Sequence, residues 1–70
     1  MKMKEIEAKI AAKAARIRAR NYSNQYIADR CEHYYALYKF SVLENAGTTE
    51  YYIIYKAYQT IAKERGLWND

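Results

Sequence analysis

Cys31-Glu32-His33 is the one cluster in this 70-residue chain whose residue types could bind a metal or activate a nucleophile. It also holds the chain's only cysteine and only histidine. On a helix, residues two apart point in nearly opposite directions. Cys31 then faces an apolar stripe and His33 the other flank, so the two cannot grip one ion, and His33 cannot take a proton from Cys31. One Cys and one His also fall short of the four ligands of a structural zinc site. A glycine-rich phosphate loop, a nucleophile triad and paired carboxylates in an apolar setting are all missing from the sequence. The chain reads as a non-enzyme with no cofactor and no metal. Gln25 to Arg30 hints at a helix-turn-helix, but the helical pattern runs on where a turn is needed.

Binding chemistry is the better lead. Residues 1–20 hold seven Lys/Arg against two Glu, net +5, and residues 21–70 hold five against six Asp/Glu, net −1. Lys2, Lys9, Lys13, Arg16 and Arg20 recur at helical spacing and form one basic stripe. Like charges three or four apart oppose a helix by a few tenths of a kcal/mol each, about 1 kcal/mol together. An anionic partner explains that arrangement. The competing explanation is that Arg16, Arg18 and Arg20 complement the negative end of the helix dipole.

Nine tyrosines add rigid contact area with polar tips. Tyr34, Tyr38, Tyr51, Tyr55 and Tyr58 lie on apolar stripes and read as core. Tyr22, in a loop, and Tyr52, beside Lys56, read as exposed contact residues. The expected partner-binding set is therefore Lys9, Lys13, Arg16, Arg18, Arg20, Tyr22, Tyr52 and Lys56.

These residues need elements to hold them, and the periodicity is helical throughout. Residues 2–20 are rich in helix formers. Met3, Ile6, Ile10 and Ile17 form an apolar stripe, and Ala8, Ala12, Ala15 and Ala19 a second ridge without bulk that lets another helix come close. Ser23, with Asn21 as the alternative, is the expected N-cap of a helix over 24–45, which stops at Gly47. That helix is apolar over most of its circumference, with Ile27, Cys31, Tyr34, Tyr35, Tyr38 and Val42 on one face and Tyr26, Leu37 and Phe40 beside them. It is expected to sit centrally, covered by its neighbours. Thr48 or Thr49 caps a third helix over 49–65, ended by Gly66 in a Schellman motif with Leu67 folding back.

The expected fold is all-α, a single three-helix domain over residues 1–70 with a central Tyr-rich helix. A core of this size supplies only about 3–5 kcal/mol. With no disulfide or metal to help, and with apolar surface to spare on the central helix, a homodimer is expected. The wholly apolar run over residues 51–55 is far short of a membrane span. A lone thiol and a charged N-terminal segment without an apolar signal region point to the cytoplasm. The functional expectation is a small helical interaction protein that docks on a larger protein or nucleoprotein, inhibiting or regulating nucleic-acid machinery in one version. The alternative is direct DNA or RNA binding through the basic helix. Attachment of that helix to a membrane surface ranks below both, because its apolar side lacks Trp and Phe.

Overall fold

The computed structural model describes residues 4–44 and 48–68. They form three helices, α1 (Glu5–Arg18), α2 (Asn24–Glu44) and α3 (Thr48–Glu64), and a 3-10 turn over Ala19–Asn21 follows α1. Among the described residues there is no strand. The domain is all-α, with its helices packed together. The expected stop at Gly47 and the contributions of Lys2 and Met3 fall outside the described residues.

Local chemistry sets the boundaries. Glu5 and Glu7 stand in the first turn of α1, and Arg16 and Arg18 in its last, as the dipole favours. Ser23 caps α2: its Oγ accepts a hydrogen bond from the Tyr26 amide at 3.0 Å, and the Ile27 amide donates to its carbonyl at 3.1 Å. The end of α3 is a Schellman motif. The Leu67 amide donates to the Ala62 carbonyl at 2.8 Å and the Gly66 amide to that of Lys63 at 3.1 Å. Gly66 has φ +74°, a left-handed conformation that costs a side-chain-bearing residue about 1–2 kcal/mol.

The helix in the middle is α3, and this corrects the expectation that α2 is central. Both α1 and α2 pack on α3, while they scarcely meet each other. The physical reason lies in the width of α3's apolar arc. Ile54, Ala57 and Ile61 turn towards one side, Tyr55, Tyr58 and Ala62 towards the other, and all six are buried. Helix α2 buries only one face of its belt, with Ile27, Cys31 and Ser41 inside. Tyr35, Val42, Phe40 (60% exposed) and Leu43 (84%) stay open to solvent.

Helix α1 docks on α3 through its alanines. Ala8, Ala12 and Ala15 are 0%, 5% and 3% exposed, whereas Ile6, Ile10 and Ile17 are 65%, 63% and 68% exposed. Small side chains on both helices, with Ala57 buried on α3, let the backbones approach closely and exclude the bulkier isoleucines from the contact.

Tyrosine rings fill the α2–α3 seam. Tyr34 stacks on Tyr58 with ring centroids 5.8 Å apart and planes inclined by 7°. Tyr35 meets Tyr55 at 5.3 Å and Tyr38 meets Tyr52 at 5.2 Å. Burial pushes the Tyr58 phenol well above its usual value near 10, helped by the phenol of Tyr26 beside it, and burial likewise raises Tyr55. Each group is then harder to ionise in the folded chain than in the unfolded one. Their contribution to stability is complete below about pH 10 and falls as pH rises through the folded values. Urea melts should show stability declining above about pH 10, and Tyr58→Phe should flatten that decline. A wild-type slope unchanged in Tyr58→Phe would contradict the assignment.

Candidate anion-binding groove and the exposed face of α1

The alanine docking of α1 fixes where its other residues point. Lys9, Lys13 and Arg16 flank the buried ridge on the side nearest α3's polar edge. There they meet Lys56, Ile53 and Thr60 across an open groove of about 420 Å³. Buried Ala12 and Ala57 form its floor. Four cations from two helices thus line one depression, and among the described residues no acidic side chain lines it. Glu5 lies 3.5 Å from the Lys9 ammonium, a solvent-exposed pair that leaves most of the charge unneutralised. The Lys56 ammonium lies 5.9 Å from the Tyr52 ring centroid. Thr60 donates its hydroxyl to the Lys56 carbonyl at 2.9 Å and so is spent within its own helix.

Beyond the basic stripe, further round α1, come the bare side chains of Ile6, Ile10 and Ile17. Their spacings of four and seven keep them on one line. The exposed half of α1 therefore carries an apolar ridge with a cationic flank. Scattered surface apolar residues are ordinary, but three aligned isoleucines on a helix that buries alanines instead are not.

The structure divides the eight expected contact residues. Lys9, Lys13, Arg16 and Lys56 converge on the groove, with half-exposed Tyr52 next to Lys56. Arg18 projects from another side of α1, and Arg20 lies in the 3-10 turn beyond it. Tyr22 is not the freely exposed loop residue expected. It is half-buried against the core and its ring lies 4.4 Å from that of Tyr26, because the short turn folds it inward. Cys31 is buried, and His33 is exposed and edge-on to Tyr34 at 5.0 Å. Among the described residues no group of three or more His, Cys, Asp and Glu could hold a metal. No helix among them is long and apolar enough to cross a membrane.

Sequence reasoning missed Arg65. Its guanidinium reaches back to the α1–α2 junction and donates to the Tyr22 carbonyl at 2.8 Å, to Asn24 Oδ1 at 3.1 Å and to the Ala19 carbonyl. One planar fork thereby gives the Tyr22 carbonyl a donor and adds a second donor to the Ala19 carbonyl, which also accepts from the Tyr22 amide. The groove's two walls keep their relation partly because this side chain ties the end of α3 to the end of α1. Nothing in local spacing signals it, since its partners lie 41 to 46 residues away.

The chain matches no protein-family model, and comparison with curated proteins and with solved structures gave no match.

Proposed function

We propose that the protein is a non-enzymatic interaction module that docks on an anionic surface of a larger protein or nucleoprotein through the exposed side of α1 and the groove beside it. One observation carries this reading: Ile6, Ile10 and Ile17 stand uncovered next to Lys9, Lys13 and Arg16 on the same helix. Burying a fully exposed isoleucine is worth about 1.5–3 kcal/mol, so a partner that covers this ridge gains more than the charges alone supply. A bare phosphate backbone would leave the isoleucines wet, which favours a protein surface that is both apolar and acidic. Inhibition or regulation of nucleic-acid machinery is the form of the function we favour.

Direct DNA or RNA binding is the second reading, favoured by Lys56 adding a fourth cation from another helix. It predicts binding that falls with salt with a log–log slope near −0.9 per neutralised phosphate on duplex DNA. The two readings part on Ile6→Ser/Ile10→Ser. In partner capture from the native cell, followed by mass spectrometry, docking predicts that this variant and Lys9→Glu/Arg16→Glu both lose the partner. Phosphate binding predicts a low-salt mobility shift that the charge reversal abolishes and the isoleucine variant retains. Partner recovery unchanged in both variants would remove α1 from the function.

Further uncovered apolar side chains on α2, Phe40, Val42 and Leu43, support a homodimer through that helix. Pairing through α1 would instead set two basic stripes face to face. Sedimentation should show a dimer that Phe40→Glu/Leu43→Glu converts to monomer. A wild-type monomer at high micromolar concentration would refute the dimer and leave the docking face untouched.

A further inference from the structure

On the other flank of α3 a second depression, about 400 Å³, opens between α2, α3 and the C-terminal turn. Its walls are mainly aromatic. Tyr35 and Tyr55 meet with planes inclined by 47°, and Trp68 meets Tyr55 edge-on at 6.2 Å. Cys31 and Leu67 extend the apolar lining, and among the described residues Glu32 is the one carboxylate that lines it. Burial pushes both the Cys31 thiol and the Tyr55 phenol up, so both stay uncharged there. The Schellman turn at Gly66 makes the cavity by bringing Leu67 and Trp68 back over the seam.

The volume falls within the range of small-ligand sites, roughly 300–1,000 Å³. The chemistry narrows the ligand. Aromatic faces carry the negative end of the ring quadrupole and attract cations, Trp most strongly. The chain already uses three of its rings in this way: Arg30 lies over Tyr26, Lys39 over Tyr35 and Lys56 over Tyr52. Among the described residues no Lys or Arg lines the cavity. A carboxylate at an aromatic wall complements positive charge. A lining with few hydrogen-bonding groups suits a cation that needs few.

We propose that this cavity binds a small organic cation of the alkylated-ammonium class. The charged head sits against Trp68, Tyr55 and the Glu32 carboxylate, and the apolar part lies on Cys31 and Leu67. A neutral ligand of the same shape would gain the apolar contacts and forgo both the ring faces and the carboxylate. This site is independent of the α1 docking face.

Trp68 is the only tryptophan, so its fluorescence reads the site directly. The probes are choline and 3,3-dimethylbutan-1-ol, the same shape with carbon in place of the charged nitrogen. Choline should bind roughly tenfold more tightly, the size of one partly desolvated cation–ring contact. Glu32→Gln, a change at an exposed position, should weaken choline severalfold and leave the alcohol unchanged. A trimethyllysine peptide, titrated alongside, distinguishes a free metabolite from a modified protein as the source of the headgroup. Equal affinity for choline and the alcohol would overturn the proposal, as would no response to choline at concentrations on the order of tens of millimolar.

Discussion

Replacing Arg65 with alanine should remove most of the domain's folding stability. The guanidinium donates to two backbone carbonyls and one side-chain amide, at partly buried and exposed positions. Hydrogen bonds from a charged group are worth about 1.5–3 kcal/mol each at best, and solvent access at Asn24 discounts the third. Removing the fork also leaves the Tyr22 carbonyl without its donor, while the Ala19 carbonyl keeps the Tyr22 amide. A loss of about 2–4 kcal/mol is expected, comparable to the whole stability of a core this small. Arg65→Lys should recover less than half, because an ammonium cannot span carbonyls set at the geometry of a planar fork. Denaturant melts followed by circular dichroism measure both. A change under about 0.5 kcal/mol for Arg65→Ala would mean that the junction holds without its tie.

The second large effect is a contrast on α1. Ala15→Leu places three extra heavy atoms in a contact that fits only a methyl group. Overpacking of this kind costs about 1–3 kcal/mol, and here it should lever α1 off α3. Ile10→Ser, five residues away, removes a large apolar side chain and should change stability by less than about 0.5 kcal/mol, as surface substitutions do. A conventional amphipathic reading of α1, with isoleucines inward, predicts the reverse order. Thermal melts of the two variants decide between them.

That contrast shows what sequence reasoning could reach. Helix positions, the Ser23 cap and the Gly66 stop all depend on near neighbours in the chain, and each was legible. Which stripe of α1 turns inward was not. Two stripes were visible, one of isoleucine and one of alanine, and hydrophobicity alone ranks the isoleucines first. Close helix approach decided for the alanines, and that depends on Ala57 and its neighbours on another helix.

The place of α2 misled for a related reason. Its belt is apolar nearly all round, but centrality depends on whether two other helices can reach it, and the wide arc of α3 claims both contacts. At the candidate site, the basic stripe was readable from its spacing. Its meeting with Lys56 was not, because it needs the α1–α3 register. Arg65 left no trace, since its three acceptors carry no sequence signature.

The most direct measurement is the reactivity of single thiols along α1. In a Cys31→Ser background, a cysteine at position 10 and another at position 12 are each exposed to a water-soluble maleimide. In the folded protein without its partner, the position 10 thiol should react nearly as fast as a free thiol. The position 12 thiol should be protected until denaturant opens the helix contact, and partner binding should then protect position 10. If position 10 is already protected in the isolated protein while position 12 reacts freely, α1 faces the other way, and the docking surface described here does not exist.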